Sequence, residues 1–371
     1  MDQKPLRLGV LGTGMIATTR HGVMPNLRHI PGKVELVAVA DTVLERAQEA
    51  QREFDVPEVY GSLEEMLERA EIDAVANLTP IPFHGATSLQ ILEAGKHVVS
   101  EKPIGTTMEE TDALIETARS TGLTFVCSPP NAIYPYHREA RRLIREGTIG
   151  RIAFARARSS HGGPAAGNWP GDPSWFYQKG SGPLFDMGVY GIHEITSLLG
   201  PAKRVVGFSG ITEPTRTVRG GPFKDTKIEV TADDNTLFML DFGDSAYAVI
   251  DGTFNVNAAR GPRIEVFGRE GTLNLGDRWS GPEVPPLEVY RVDAVPGMGG
   301  WVTPQSWGLS QEQERVAQLG RAIIVDHLVD CVWAGKQPEL SAEHARHALE
   351  IMIKAVESAH SGRVLDLETS F

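Results

Sequence analysis

Apolar runs and amphipathic stretches alternate along the first 128 residues of the chain. LRLGVLG (6–12), VELVAVA (34–40), DAVANLT (73–79), HVVS (97–100) and LTFVCS (123–128) are short and rich in β-branched residues. Several are apolar throughout, as strands are when a parallel sheet is covered on both faces. Between them, TVLERAQEAQREF (42–54), SLEEMLERA (62–70) and TMEETDALIETARSTG (107–122) carry helical periodicity. Ser62 with Glu65 and Thr107 with Glu110 have the spacing of capping boxes. Alternating βα units of this kind predict an α/β fold with a doubly wound parallel sheet.

The rhythm changes after SPPN (128–131). A helix, YHREARRLIREG, stops at Gly147, and the strand RIAFARARSS follows. A loop rich in Gly, Pro and Trp runs from His161 to Gly182, and one helix comes after it. TLFMLDFGDSAYAVIDGTFNV, turning at Gly243–Ser245, and RIEVFGREGTLNL, turning at Arg269–Gly271, read as hairpins. The stretch from Gly281 to Ser310 reads as an irregular excursion, and two helical patterns (311–334 and 343–360) close the chain. The expected organisation is a Rossmann-type domain over 1–130. An α+β domain with a large, mostly antiparallel open sheet is expected over 131–371.

Composition narrows the function. With 41% hydrophobic and 23% charged residues the chain is of globular type. A formal net charge of −12 disfavours nucleic acid or an anionic membrane as partner. No apolar run is long enough to span a bilayer, and MDQKPLRLGVLGTG does not read as a signal peptide. Cys127 and Cys331 lack CxxC spacing, which suits a reducing cytoplasm, and Cys127 closes a strand and belongs to the core.

Two stretches carry chemistry. Gly12-Thr13-Gly14-Met15-Ile16-Ala17 follows the first strand and opens a helix. The first glycine permits the turn, the second lets backbone approach a pyrophosphate, and the third small residue permits close packing. The next strand ends in Asp41, whose carboxylate suits adenosine ribose hydroxyls and opposes a 2′-phosphate. That favours NAD, with NADP kept open by Arg46. In GPLFDMGVYGIHEITSLLG (182–200), spacing of about 100° per residue places Asp186, Tyr190, His193 and Ser197 within roughly 60° of one another. Gly188 and Gly191 on the flanks point to a close approach. Elsewhere, Lys102 precedes a proline at the end of a strand, so its backbone is stiffly held.

With GxGxxA, VAVAD, NLTPIPFH (77–84), EKP (101–103), IREGTIGRI (144–152) and DMGVYGIH (186–193), the chain resembles the Gfo/Idh/MocA oxidoreductases over nearly its whole length. The resemblance implies a Rossmann domain for NAD(P) and a second domain whose open sheet forms a homodimer or homotetramer. It implies a sugar, polyol or similar hydroxylated substrate. By motif, the catalytic lysine falls on Lys102, the D-x-G aspartate on Asp186, and the proton-transfer aromatic on Tyr190, with His193 as second choice. This is similar to the tyrosine-using branch, in which the Lys102–Pro103 bond is expected to be cis. A lysine ammonium near a phenol favours the phenolate that a base requires. Glu101, with Lys102, and Asn131 are implied on the cofactor side. Ala132 stands where many members have arginine, and SGP (181–183) replaces GGG.

Thr79, Pro80 and His84 belong to the crossover after the third strand of the pattern and are further cofactor candidates, His84 equally a capping histidine. Trp169, Trp175 and Phe176 are candidates to stack on a sugar ring, or else packing anchors. His344 and His347 read as a solvated face, and no metal site is expected. The leading function is hydride transfer between a nicotinamide and a secondary hydroxyl or ketone. An alternative is a glycosidase-like enzyme that oxidises its substrate transiently. A non-catalytic dinucleotide sensor ranks lower, because it needs no lysine, tyrosine and aspartate set.

Overall fold

The computed structural model describes residues 3–276, 285–304 and 307–371. Two compact units form, one from Met1–Tyr134 with Gly308–Leu349, the other from Pro135–Trp307 with Glu350–Phe371. The first begins β1 (Leu6–Leu11), α1 (Met15–Thr18), β2 (Val34–Ala40), α2 (Leu44–Phe54), β3 (Glu58–Tyr60) and α3 (Leu63–Arg69). It continues β4 (Ala74–Asn77), α4 (His84–Glu93), β5 (His97–Ser100), α5 (Met108–Thr121) and β6 (Phe125–Cys127). All six strands are parallel, in the order β3-β2-β1-β4-β5-β6. The order reverses between β1 and β4, the place where doubly wound sheets open a ligand crevice at their carboxyl ends. β4 is buried along its whole length, in keeping with its apolar sequence. Cys127 is core, and burial pushes its thiol well above the ordinary range. The Thr107–Glu110 capping box forms in full, whereas Ser62 caps α3 while Glu65 accepts from Gly61 N instead. The short strand β3 is absent from the sequence reading because three residues show no period.

The second unit runs α6 (Pro135–Arg145), β7 (Ile152–Arg158), a π turn over Leu184–Gly188, α7 (Val189–Leu199) and β8 (Arg204–Gly210). It proceeds through β9 (Thr215–Thr217), β10 (Lys227–Glu229), β11 (Asn235–Gly243), β12 (Ala246–Thr253), β13 (Ile264–Gly268) and β14 (Gly271–Leu275). Next is β15 (Leu287–Val295) with β16 (Met298–Val302). The chain then returns to the first unit with α8 (Trp307–Leu319) and α9 (Ile323–Ala334), and ends with α10 (Ala342–Ser361) and β17 (Leu365–Asp366). Among the described residues the large sheet has nine strands, ordered β16-β15-β14-β13-β7-β12-β11-β8-β17, and only β7–β12 is parallel. Asp244 and Ser245, with φ of 52° and 61°, make the tight turn between β11 and β12. The π turn and α7 lie on β7 and β12. Phe208 (82% exposed), Leu237, Met239 and Val249 are exposed along β8, β11 and β12.

Several expectations need correction. Much of 281–310 is a hairpin, β15–β16, whose Leu287 and Val289 are buried on the sheet while Val292 and Val295 stay exposed. Residues 281–284 and 305–306 of that stretch lie outside the described residues. The helical pattern over 311–334 is two helices, because Gly320 adopts φ 50° and its backbone closes on His21, whose carbonyl accepts from Arg321 N at 3.0 Å. Residues 308–349 pack with the first unit, not the second: Lys33 bridges Asp326 and Asp330 at 2.5 and 2.6 Å. His344 and His347 are buried, not solvated, because they share the side of α10 that carries Ala348 and Ile351. Among the described residues no three metal-ligating side chains converge. No described helix is long and apolar enough to cross a membrane.

Beyond β17, one carboxylate gathers the C-terminal tail of the second unit. Glu350 accepts from the backbone of Glu368 (2.8 Å) and Thr369 (2.9 Å), from Thr369 Oγ1, and from Lys354 Nζ (2.8 Å). Burial opposes the charge, but Lys354, Thr369 and the two amides together bring the Glu350 pKa down to about 2. Because its folded pKa is depressed, its contribution is present above the unfolded value and is lost as pH falls from about 4.5 toward 2. Glu350→Gln is therefore expected to lower stability by about 2–3 kcal/mol at neutral pH and by much less near pH 2. Urea melts at the two pH values check this, and equal losses at both would refute it.

Candidate active site

The first unit carries a dinucleotide cradle at the carboxyl ends of β1 and β2. Gly12 has φ 86°, and a Cβ there would lie 2.8 Å from Leu78 O, so only glycine fits the turn. Gly14 is exposed, and a Cβ on it would meet nothing within 4 Å, which leaves room for a pyrophosphate against the backbone. Ala17 is fully buried, as the third small position of the motif requires. Met15 and Ile16 are half-buried on α1, which is a single turn before the chain leaves through a 3-10 segment at Met24–His29. The helix expected after the motif is thus short, with Gly22 and Pro25 in the residues that follow. Asp41 already braces the turn: one oxygen accepts from Thr13 N (2.8 Å) and Thr13 Oγ1 (3.1 Å), the other from Val43 N (2.8 Å). A carboxylate offers about four acceptor sites, so one remains for a ribose hydroxyl. Gly12→Ala is expected to weaken NADH binding, read by fluorescence titration, and to cost about 1–3 kcal/mol of stability. Wild-type affinity in that variant would remove the cradle assignment.

The EKP segment is held from several sides. The Lys102–Pro103 bond is cis, as the family resemblance implies, and Lys102 is half-buried. Glu101 is buried, and its carboxylate accepts from Lys102 N (3.2 Å), Ser128 Oγ (3.3 Å) and Arg321 Nη1 (2.9 Å). Burial alone would raise the Glu101 pKa, but Arg321, Lys102 and His84 bring it below the ordinary range. His84 is 1% exposed, with Nδ1 2.7 Å from Pro103 O and Nε2 2.6 Å from Thr79 O. It ties the β4 crossover, with Thr79 and Pro80, to the lysine loop. Burial holds its imidazole below the usual histidine range, against the pull of the two carbonyls. Asn77 completes the crossover through Thr87, Ser88 and Thr79. Asn131 sits half-buried on the short helix Pro130–Ile133.

In the second unit the helix that carries Asp186, Tyr190 and His193 is not α-helical throughout. Asp186 lies inside the π turn, so the regular 100° spacing does not hold between it and Tyr190. Asp186 and Tyr190 are half-buried, while His193 is 3% exposed. Gly188 and Gly191 allow the close approach that they foretell: a Cβ on Gly191 would lie 3.0 Å from Ser159 Cβ and 3.1 Å from Ile250 Cγ2. In the preceding loop, Phe176 is buried and stacks on Trp175 at 3.8 Å, with Trp169 edge-on at 5.2 Å. Trp175 is the exposed member, at 47%.

Sequence reasoning overlooked the groups behind these helices. Arg321 belongs to the EKP network yet lies 220 residues away. Glu194 and Arg263 form a buried ion pair under α7, with Arg263 Nε 2.9 and 3.2 Å from the carboxylate oxygens. The one available signal was a glutamate at position 194, adjoining Ile195 on a helix with a broad apolar face.

Comparison with known proteins agrees with this division. Residues 6–128 match the description "Oxidoreductase family, NAD-binding Rossmann fold", and residues 137–274 match "GFO/IDH/MocA C-terminal domain". Trans-1,2-dihydrobenzene-1,2-diol dehydrogenase of Mus musculus is 31% identical over 201 residues, 53% of this chain and 57% of that enzyme. The chain thus spans little more than half the length of that relative. The scyllo-inositol 2-dehydrogenase (NAD(+)) of Bacillus subtilis (strain 168) is 24% identical over 364 residues, 98% of this chain and 96% of the relative. An NAD binding oxidoreductase from Klebsiella pneumoniae shares the fold, with a TM-score of 0.84 at 22% identity, over 99% of this chain and 100% of that one. A glycine cradle that fits a dinucleotide, and two successive domain matches that together take in most of the residues, lead to one conclusion: this chain belongs to the Gfo/Idh/MocA family of oxidoreductases, with NAD as the cofactor of its Rossmann unit.

Proposed function

We propose that the protein moves a hydride between NAD and a secondary hydroxyl or ketone of a sugar, polyol or sugar derivative. Tyr190 is the general acid/base, Lys102 assists it, and Asp186 orients substrate hydroxyls. The observation that carries the assignment is the split in accessibility along one helix: Tyr190 is half-buried and reachable, whereas His193 is enclosed. The names of two relatives, a dihydrodiol dehydrogenase and an inositol dehydrogenase, support a substrate with secondary hydroxyls. Exposed Trp175, backed by Phe176, supports stacking on a ring.

Gly12, Gly14, Met15, Ile16 and Asp41 would hold the dinucleotide, with Thr79, Pro80 and Asn131 as further contacts. The bound nicotinamide supplies the hydride acceptor or donor. In the oxidative direction the substrate hydroxyl loses its proton to the Tyr190 phenolate; in the reductive direction the phenol returns it. A free phenol titrates near pH 10 and is a weak base at neutral pH, so the reading requires the Lys102 ammonium beside it in the working complex. The same ammonium opposes the negative charge that grows on the reacting oxygen. Glu101 and His84 hold the lysine loop from behind.

The exposed apolar residues on β8, β11 and β12 form a patch of the kind that soluble proteins cover, which supports a homodimer or homotetramer through this sheet. Cys127 and Cys331, both buried and not joined in a disulfide, support a reducing cytoplasm. The test is NADH production from NAD⁺ across a panel of inositols, aldoses and cyclic trans-diols. Turnover of at least one class is expected. Tight NADH binding with no turnover on any of them, in either direction, would overturn the reading.

A further inference from the structure

Between Asp186 and Tyr190 the helix passes from the π turn (Leu184–Gly188) into α7 (Val189–Leu199), and one hydroxyl sits at the junction. Ser159, fully buried just after β7, donates its Oγ proton to Met187 O and accepts from Gly191 N at 3.0 Å. In an unbroken α-helix, Gly191 N would bond Met187 O directly. Here the serine oxygen stands between the two, a side chain inserted into the helical ladder. Arg263 Nη2 donates to the same oxygen at 3.3 Å. A hydroxyl has one donor and two acceptor sites, and all three are used.

We propose that Ser159 is a positioning residue for the reaction: its hydroxyl holds the π turn open and so sets the angle between Asp186 and Tyr190. The inference rests on the role given above to those two residues. Its supports are themselves fixed. Ser159 N donates to Asp251 Oδ1 at 2.5 Å, which anchors the serine to β12. Arg263 is locked by Glu194, four residues after Tyr190 on the same helix and 1% exposed. Glycine at 191 is what lets Ser159 come so close. Without the hydroxyl, Gly191 N would lose the acceptor that holds it away from Met187 O, and the two would close on each other. That closure would convert the π turn into an α turn and rotate Asp186 away from Tyr190. Buried amide and carbonyl groups do not stay unpaired.

The test compares Ser159→Ala, Tyr190→Phe and the double variant for kcat, KM, NADH affinity and the pH dependence of kcat/KM. Ser159→Ala is expected to lower kcat roughly 10- to 100-fold, the usual consequence of misplacing a reacting group by about an ångström. NADH affinity should be unchanged and the pH profile displaced, with no further loss when the change is made in Tyr190→Phe. A folded Ser159→Ala enzyme with wild-type kcat and pH profile, or losses that simply multiply in the double variant, would overturn the proposal. If the alanine variant does not fold, Ser159→Cys gives the same reading with a near-isosteric but weaker hydrogen-bonding group. Retained activity in Tyr190→Phe alone would overturn the functional reading, and it is seen without any serine variant.

Discussion

Tyr190→Phe is expected to lower kcat by about 10²- to 10⁴-fold, the range for removing a general acid/base, with NADH binding unchanged. The phenyl ring keeps the packing of α7 against β7 and β12 and removes only the oxygen that carries the proton. Lys102→Met should lower kcat by about 10²- to 10³-fold, the usual loss for a group that stabilises a developing oxyanion. The two effects should not add: with the phenol gone, the lysine retains only its action on the reacting oxygen. Steady-state turnover of both single variants and the double variant, with NADH titrations alongside, is the measurement. Turnover within a few-fold of wild type in either single variant removes that residue from the chemistry. Selective loss on His193→Asn would move the proton-transfer role to that residue.

Arg263→Met is expected to destabilise the protein by about 3–5 kcal/mol, since it leaves the Glu194 carboxylate buried without its main counter-charge. Glu194 and Arg263 are both buried, and the single Nε–H of Arg263 lies within reach of both carboxylate oxygens, so neither can turn to water instead. Replacing both members, as Arg263→Met with Glu194→Leu, should recover most of the loss, because apolar side chains of similar volume tolerate that environment. Urea denaturation of the three variants measures it. A loss under about 1 kcal/mol in the single variant would mean that the pair behaves like an exposed bridge. Arg263 also donates to Ser159, so part of its effect should appear in kcat as well.

The legible parts of this protein are those written over a few neighbouring residues. The strand–glycine–helix step at Gly12, the cap at Thr107 and the turn at Asp244–Ser245 each need particular side chains within three or four positions, and each appears where the pattern places it. The Asp186–His193 stripe was half legible. Regular spacing identified its residues, but the π turn that shifts Asp186 depends on Ser159, which is 28 residues from the carbonyl it holds. The burial of His344 and His347 shows the converse: their spacing was plain, and the surroundings that bury them lie elsewhere in the chain.

Local chemistry in the chain determined the parallel sheet, the dinucleotide turn, the stiff Lys102–Pro103 step and the order of the elements. Tertiary structure alone decided that Arg321 anchors Glu101, that residues 308–349 rejoin the first unit, and that a serine hydroxyl stands between Met187 O and Gly191 N beside Tyr190. The reason is physical. Periodicity and turn chemistry act between residues a few positions apart, whereas a buried charge or donor takes whichever partner folding brings to it, and sequence distance does not encode that choice.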